Sequence, residues 1–300
     1  MTGALQLVDR PDDRLELHYG DVELFRYVYR PQMAPEESPK PYFHPIRTLA
    51  GNVVTIYRPY DHVWHKGLQM TFAVLSGQNF WGGPTYVHGQ GYVQLPNNGR
   101  IEHRAWKRLE SGPQRLDLLE ELTWISYEGE PWIAEERAIT LDGLDAQRGY
   151  WSLGFRLHLT NVRPAPLVFG SPTTEGRPNA GYGGLFWRGP RSFFRGKIFA
   201  PEGQEGPGMM GRAAPWLAYT GRHDETADTS TLIFVDQPDS FRFPARWFVR
   251  DDPFAAASFA VTFDEEHTLP PGATIDLHHR IVIANGAWSA EDVGALVAGS

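Results

Sequence analysis

The stretch Leu116-Asp-Leu-Leu-Glu-Glu-Leu-Thr-Trp124 has the two-residue period of a β-strand that is buried on one face. Residues two apart in a strand share a face. One face of this strand therefore consists of Leu116, Leu118, Glu120, Leu122 and Trp124. The pattern predicts a strand in a layered β-fold and places one carboxylate, that of Glu120, among apolar side chains.

Similar short runs recur along the chain and predict an all-β fold. The 31 Gly and 24 Pro residues punctuate them, so turns are plentiful and long helices are disfavoured. The predicted strands are Arg14–Tyr19, Val22–Tyr29, Val53–Tyr57, Leu68–Leu75, Ile101–Lys107, Arg115–Tyr127, Trp132–Leu141, Gly149–Thr160, Leu232–Asp236, Ala257–Phe263 and Thr274–Ala284. We expect one domain over residues 1–300: a large antiparallel β-sandwich, with the supersandwich of the galactose-mutarotase type favoured.

One short helix is predicted at the C-terminal end. Ser289 can cap the run Ala290–Ala298, and Asp292 stands at the third helical position. We interpret this helix as a surface appendage and expect helix in less than roughly a fifth of the residues.

Composition excludes several classes of function. The net charge of −8 and pI near 5.8 argue against nucleic-acid or anionic-membrane partners. With no cysteine, disulfides, thiolate nucleophiles and iron–sulfur clusters are excluded. The first ten residues contain no secretion signal, so a cytoplasmic location is expected.

Two segments interrupt the rhythm of strands. Pro31–Pro41 is a proline-rich connector that we interpret as a loop crossing the sheet. Ser171–Gly211 is rich in Gly, Arg and aromatic residues and is too long for an ordinary connection. We expect the longer segment to form strands and loops that cover a cleft.

The run Arg58-Pro-Tyr-Asp-His-Val-Trp-His-Lys-Gly67 combines two histidines with aromatic and charged residues, as the wall of a polar pocket does. His62 and His65 have three interpretations: they ligate a metal, they act as an acid and a substrate donor, or they bond backbone atoms in a tight turn. Rings beside polar groups suit the faces of sugars, although a large sandwich also needs aromatic side chains to fill its core.

Five segments carry a family resemblance: Phe43–Thr48, Asp61–Gly67, Asn79–Trp81, Gly181–Arg191 and Ala214–Trp216. They resemble a bacterial family labelled PmoA-like or methane oxygenase, and the resemblance covers roughly Leu15 to Gly286. It implies a soluble β-rich protein associated with sugar catabolism and supplies no motif that fixes a reaction.

Two carboxylates are candidates for acid–base chemistry. Glu120 either forms a structural pair with Arg137 or a histidine, or works as an acid or base, since a lone buried charge is costly. Glu175 lies in a loop whose neighbours resemble a site. We expect these two residues, with His62 and His65, to be catalytic.

Arginines in the long segment are candidates for substrate binding. Arg177, Arg188 and Arg191 flank Gly181-Tyr-Gly-Gly184, where glycine lets the backbone approach a ligand and arginine offers a fork of donors. The alternative is a glycine-rich hairpin with Arg–Glu pairs. The residues that we assign to substrate binding are Trp64, Lys66, Asn79, Trp81, His103, Arg177, Tyr182, Trp187 and Arg188.

Three functions remain open on the sequence alone. The favoured one is a carbohydrate-active enzyme that works by His/Glu proton transfer, as an epimerase, mutarotase, lyase or hydrolase without a cofactor. The second is an enzyme that binds a divalent transition metal through His62, His65 and His103, with His279 and Glu120 as further possible ligands. The third is a non-catalytic carbohydrate-binding protein. In each case the partner is a small-molecule carbohydrate, and the oligomeric state is left open.

Overall fold

The computed structural model describes residues 3–299, without the side chain of Asp142. Its strands are β1 (Leu5–Arg10), β2 (Arg14–Tyr19), β3 (Val22–Val28), β4 (Tyr42–Ile46), β5 (Leu68–Phe72), β6 (Val74–Leu75), β7 (Thr85–Val87), β8 (Gly91–Val93), β9 (Arg100–Gly112), β10 (Arg115–Ile125), β11 (Pro131–Asp145), β12 (Tyr150–Asn161), β13 (Leu167–Gly170), β14 (Gly183–Arg188), β15 (Lys197–Phe199), β16 (Trp216–Arg222), β17 (Thr229–Asp236), β18 (Trp247–Arg250), β19 (Ala256–Phe259), β20 (His267–Leu269) and β21 (Thr274–Asn285). One α-helix, α1, spans Ala290–Ala298, and short 3-10 turns span Pro35–Glu37, Arg191–Phe193, Pro201–Gly203 and Gly206–Met209. The predicted domain of residues 1–300 includes residues 1, 2 and 300, which lie outside the described residues.

Two eight-stranded antiparallel sheets form the body of the protein. The first has the order β1-β2-β3-β4-β5-β14-β19-β18, and the second has the order β15-β16-β17-β21-β12-β11-β10-β9. Two smaller sheets, β20-β13-β6 and β7-β8, lie outside this pair. The predicted all-β, antiparallel sandwich is confirmed, with half of the chain in strands and 7% in helices.

Aromatic side chains from both sheets meet between them. Phe43 of β4 packs edge-on against Phe155 of β12, with ring centroids 5.5 Å apart. Phe72 of β5 approaches Trp124 of β10 at 6.1 Å. Such aromatic pairs add to the free energy already gained by burying their area. The predicted inward face of β10 is therefore the face that meets the opposite sheet.

Most predicted strands are present, but Val53–Tyr57 is wrong as a strand. Only isolated bridges form at its two ends, to Arg47 and Lys66. Its backbone changes partner along its length, since the Val54 amide donates to Ile46 and the Ile56 amide donates to Arg188. The predicted strand Ala257–Phe263 is also shorter, as β19 ends at Phe259.

The C-terminal helix begins as predicted but is not an appendage. The Ser289 hydroxyl accepts from the Asp292 amide, and the Asp292 carboxylate accepts from the Ser289 amide. Val293 is fully buried in a cluster that includes Trp216 and Val282 of the second sheet. The helix therefore covers the outer face of that sheet. Within residues 3–299, no helix is long and apolar enough to cross a membrane.

Strand β14 occupies an interior position of the first sheet because glycine begins it. Gly184 has φ of +76°, and a Cβ there would lie 2.1 Å from the carbonyl oxygen of Phe259. Only glycine allows this approach of β14 to β19. The segment Ser171–Gly211 thus contains a central strand, and that strand leads directly to Phe186 and Arg188.

Candidate functional site

The loop between residues 57 and 66 is a closed, internally bonded turn. Tyr57 and Lys66 form a bridge at its base, and the Arg58 amide donates to the His65 carbonyl at 3.0 Å. Within it, the His62 amide donates to Pro59 and the His65 amide donates to His62, each at 3.0 Å. The backbone bonds of the turn are thus made locally, which leaves both imidazoles free to project from it.

Arg188, at the end of β14, joins this loop to the first sheet. Its carbonyl accepts from Ile56 at 3.1 Å, and its amide donates to Gly67 at 2.7 Å, so the backbone of Arg188 binds both stems of the loop. Its side chain donates to Nδ1 of His65 and to Oδ2 of Asp61, each at 2.8 Å. The Arg188 side chain is 2% exposed, so it binds the loop from the buried side.

A cavity of about 460 Å³ opens above this loop. That volume lies in the usual range for small-molecule sites, about 300–1,000 Å³. Most of its walls are aromatic, and its polar groups come from histidine, tyrosine and arginine. The lining residues are His62, Trp64, His65, Trp81, Gly82, Pro84, Tyr92, Arg177, Tyr182, Phe186, Phe248, Arg250, Pro253 and Phe254.

Asp61 fixes the tautomer of His62. Its Oδ2 lies 3.0 Å from Nδ1 of His62. Burial raises the pKa of Asp61, but hydrogen bonds from Arg188 and His62 outweigh it and lower the value to about 2. An ionised carboxylate only accepts, so Nδ1 carries the proton and Nε2 of neutral His62 has a free lone pair. Burial lowers the pKa of His62, and the bond to Asp61 offsets only part of that effect.

His65 is held in the other tautomer. A guanidinium only donates, so Nδ1 of His65 accepts from Arg188 and the proton lies on Nε2. Burial, followed by the nearby His62 and Arg188, holds the pKa of His65 well below its usual value. Nε2 is buried and has no hydrogen-bond partner among the described residues. His65 therefore has a neutral N–H donor whose hydrogen bond is not made by any of the described residues.

The two imidazoles stack. The ring centroids of His62 and His65 lie 4.7 Å apart, with their planes 10° from parallel. Around them, Trp81 and Phe186 pack on His65 at 5.4 Å and 4.8 Å, and Phe254 packs on His62 at 5.4 Å. Nε2 of His62, which is an acceptor, thus lies close to the N–H donor of His65 and to several aromatic rings.

A turn places Trp81 in the cavity wall. Oδ1 of Asn79 accepts from the amides of Trp81 and Gly82 at 2.9 Å and 3.0 Å. The buried Lys40 ammonium donates to the Trp81 carbonyl at 3.1 Å. Gly82 has φ of +101°, and a Cβ there would lie 2.7 Å from that of Trp64. Asn79, predicted to bind substrate, instead supports the wall from behind.

Lys66 is also placed behind the cavity, contrary to its predicted role. Its ammonium is fully buried and donates to the Glu37 carboxylate and the Val63 carbonyl. Arg58 donates to the same carboxylate at 2.6 Å. Burial favours such pairing because an unpaired charge would be costly. Glu37, from the proline-rich connector, thus binds the base of the loop between residues 57 and 66.

Glu120 and His103 do not reach the cavity. Glu120 is fully buried between the sheets, where it accepts from the Tyr27 hydroxyl and contacts Nδ1 of His103 at 2.8 Å. Leu122 lies opposite His103 in the pairing of β9 and β10. Because Glu120 and Leu122 share the inward face of β10, the His103 imidazole also faces the interior. These two predicted site residues form an internal polar cluster instead.

Arg137 completes that internal cluster. It lies opposite Glu120 in the register of β10 and β11, but its Nε donates to Glu135 at 2.7 Å. It reaches Glu120 through the Tyr27 hydroxyl, to which Nη1 donates at 3.0 Å. Of the two predicted alternatives for Glu120, its surroundings are those of the structural pair, and its direct partner is His103.

Two further predicted residues lie elsewhere. Glu175 is exposed in its loop and is not among the residues that line the cavity. Trp187 is buried in the core, and its Nε1 donates to the Val54 carbonyl at 2.8 Å. Alternation along β14 explains the difference, because Phe186 faces the cavity and Trp187 faces the opposite sheet.

The three-histidine metal set is not assembled. His103 is committed to Glu120, and His279 contacts Asp236 at 3.0 Å in the second sheet. Within the described part of the chain, no group of three or more His, Asp or Glu side chains is placed to hold a metal ion. The imidazoles of His62 and His65 stack face to face and do not converge on a point.

Six of the lining residues were predicted from the sequence, and the others were not. The predicted ones are His62, Trp64, His65, Trp81, Arg177 and Tyr182. The missed side chains come from β8, β14 and the region of β18, whose alternation indicates a strand but not which end closes over a cavity. They include Tyr92, Phe186, Phe248, Arg250 and Phe254.

Comparisons with known proteins give one family and several distant folds. A model described as a family of unknown function, DUF6807, matches residues 14–298. None of the curated proteins is detectably similar in sequence.

The similar solved structures include two α-galactosidases and a galactosidase domain. The GH36 enzyme AgaA from Geobacillus stearothermophilus, in complex with raffinose, is 12% identical with a TM-score of 0.42 over 91% of this chain and 41% of that chain. The enzyme from Lactobacillus brevis is 10% identical with a TM-score of 0.38 over 95% of this chain and 40% of that chain. The galactosidase domain of AgaSK is 8% identical with a TM-score of 0.43 over 94% and 42%. This chain spans about two fifths of the length of these proteins.

Proposed function

The chain belongs to the DUF6807 family, whose function is unknown, and we propose that it is an enzyme that binds a sugar or sugar-derived ring and transfers a proton at His62. The observation that carries this proposal is the Asp61–His62 pair at the wall of an aromatic cavity. A carboxylate that holds an imidazole in one tautomer, with the other nitrogen free, is the arrangement of a general base.

The pKa directions support this role for His62. Burial keeps its pKa below the usual value, so the imidazole is neutral at neutral pH and its Nε2 can accept a proton. After transfer, the imidazolium lies beside ionised Asp61, which stabilises the positive charge. The same imidazolium can return the proton to the substrate.

His65 serves as a neutral hydrogen-bond donor. Its buried Nε2–H lacks a protein partner among the described residues, and leaving such a donor unsatisfied costs about 1–3 kcal/mol. A substrate oxygen that accepts this bond removes that cost. If negative charge develops on the oxygen when His62 removes a proton, the bond strengthens and lowers the barrier.

The rings account for the substrate class. Trp64, Trp81 and Phe254 surround the histidines, and their faces can pack against the C–H bonds of a sugar while its hydroxyls bond the polar groups. No aspartate or glutamate is found among the described residues that line the cavity. Hydrolysis by a pair of carboxylates is therefore not supported. Epimerisation, mutarotation or elimination, which need only proton transfer, fit the cavity best.

Hydrogen exchange with solvent tests this proposal. A panel of monosaccharides is incubated with the protein in D2O, and NMR follows both deuterium incorporation at carbon and interconversion of anomers. We expect at least one sugar to react with the wild type and the rate to fall at least ~100-fold in His62→Gln. His158→Gln is the matched control, because His158 forms a similar pair with Asp276, 2.8 Å away, on the exposed surface.

Two outcomes would contradict the proposal. Full activity in His62→Gln would assign the proton transfer to another residue. Tight binding of sugars with no exchange in the wild type would instead indicate a non-catalytic carbohydrate-binding protein.

Other expectations from the sequence stay predictions. They are the cytoplasmic location, the PmoA-like assignment, the carbohydrate partner and the absence of a cofactor.

A further inference from the structure

Two arginines line the cavity without a carboxylate partner. Among the side chains that the structure describes, neither Arg177 nor Arg250 has an ion-pair partner. Each instead lies over a ring, with Cζ of Arg177 4.8 Å from the centroid of Tyr92 and Cζ of Arg250 5.4 Å from that of Phe248. By contrast, Arg188 is neutralised by Asp61.

This arrangement leaves positive charge in an apolar cavity of a protein whose net charge is −8. Desolvated charges are unfavourable unless they are paired. Burial, followed by the charge of Arg177, lowers the pKa of Arg250. A bound anion would relieve both the lost solvation and the repulsion between the two guanidinium groups.

The side chain of Arg177 and the backbone of Arg250 are held in place before any ligand binds. Nη1 of Arg177 donates to the Tyr92 hydroxyl, and the hydroxyls of Tyr92 and Tyr182 are 2.8 Å apart. The backbone of Arg250 is fixed in β18, paired opposite Ala256 of β19. A donor that is already ordered, as Arg177 is, loses little conformational entropy on binding.

We propose that the substrate is an anionic sugar derivative, a sugar acid whose carboxylate binds Arg177 and Arg250 while its ring lies against His62 and His65. The planar fork of arginine matches a carboxylate. Phosphate sites in proteins commonly add a nest of backbone amides or the N-terminus of a helix, and the cavity is lined by side chains of strands and loops. This inference rests on the proposed function, since it names the substrate class of the same cavity.

Calorimetry with matched ligands tests the inference. The probes are D-glucose, D-glucuronate and D-glucose 6-phosphate, together with the corresponding galactose series, which differ chiefly at C6. We expect one of the acids to bind the wild type at least about tenfold more tightly than its neutral partner. That preference should disappear in Arg250→Gln and in Arg177→Gln, and added salt should reduce it.

Arg163→Gln is the control. Arg163 also lies over a ring, with Cζ 4.2 Å from the centroid of Trp132, and it lies outside the cavity. Its variant should keep the preference for the acid. Thermal melts of all three variants confirm that they are folded.

Several results would overturn the inference. These are equal affinity for acid and neutral sugar, a preference that survives in both cavity variants, tighter binding of the phosphate, or no binding of any acid. Exchange of a neutral sugar together with any of these would leave the proposed function intact. Acid binding that depends on Arg250, without exchange in any probe, would refute the proposed function and retain the anion site.

Discussion

Nη1 of Arg188 lies 2.8 Å from Nδ1 of His65, and this contact determines which imidazole nitrogen carries the proton. Because arginine cannot accept, His65 must carry its proton on Nε2. The same guanidinium also bonds Asp61, which orients His62. One buried cation therefore sets the donor and the acceptor of the proposed site, although it does not line the cavity itself.

Arg188→Lys should separate this positioning role from simple charge. A lysine keeps the charge but has one compact ammonium, which cannot reproduce both bonds of the planar fork. We expect the exchange rate to fall at least about tenfold and the acid limb of its pH profile to shift, since Asp61 loses its alignment with His62. Arg156→Lys, which alters an exposed pair with Asp239, should change neither quantity. An unchanged profile in Arg188→Lys would contradict the role.

The pH dependence of exchange should report His62. Its neutral form is the active one, so the rate should be constant near neutral pH and fall as pH drops through a value below 6.5. The pKa of Asp61 is about 2, so this carboxylate stays ionised and the limb follows one proton. Asp61→Asn removes an influence that raises the pKa of His62, so the limb should move to lower pH while the maximum rate falls. A rate that rises as pH falls would contradict the assignment of His62 as base.

Folding stability should fall in the same pH range. Burial lowers the pKa of His65 far below its unfolded value, near 6.5, so the unfolded chain takes up the proton first. Stability from this residue is therefore complete above that pH and is lost as pH falls. Thermal melts at each pH, with His65→Gln as comparison, check this and show where the rate measurements refer to folded protein. Equal melting profiles for the two proteins would contradict it.

Glu120→Gln should affect stability and not exchange. A glutamine that accepts from the Tyr27 hydroxyl through its oxygen must place its NH2 group against Nδ1 of His103, so the buried contact with His103 must rearrange. Removing this buried carboxylate should lower the free energy of unfolding by about 3 kcal/mol. The adjacent Glu121→Gln is the control, because that side chain is only partly buried and pairs with Lys107 at 2.7 Å. Urea melts measure the difference in the free energy of unfolding between the two variants. A ~100-fold loss of the exchange rate with normal stability would contradict the structural role and indicate that Glu120 is catalytic.

Gly82→Ala should damage the aromatic wall. Its Cβ would lie 2.6 Å from the Glu37 carbonyl and 2.7 Å from the Cβ of Trp64, so the turn must move. Gly89→Ala is a matched control, since Gly89 also has positive φ (+76°) but nothing lies within 4 Å of its Cβ. Both variants carry backbone strain, and only Gly82→Ala should weaken sugar binding in calorimetry. Equal affinities would mean that the position of this wall does not matter.

The fold was largely predictable because alternation along strands such as β10 is a local property. The helix was also local, since Ser289 and Asp292 form its capping box within four residues. The strand prediction for Val53–Tyr57 was wrong because the outcome there depends on long-range contacts. The segment has strand-like residues, but its backbone bonds partners that lie far apart in the chain.

The site was predictable in part for the same reason. His62, Trp64 and His65 lie in one local turn, so their sequence spacing already indicates a shared site. Glu120 was misplaced because alternation shows that it faces inward, without showing which side chains from other strands meet it there. Arg250 gave no signal, since its lack of a carboxylate partner is visible only in three dimensions.

The central claim is that a sugar ring binds against His62 and His65. A crystal structure of the protein with the tightest ligand from the calorimetric series tests this directly. We predict a ring in the aromatic cavity, with one ligand oxygen about 2.6–3.2 Å from Nε2 of His65 and another group at similar distance from Nε2 of His62. A ligand bound elsewhere, with the cavity holding only water, would contradict the account.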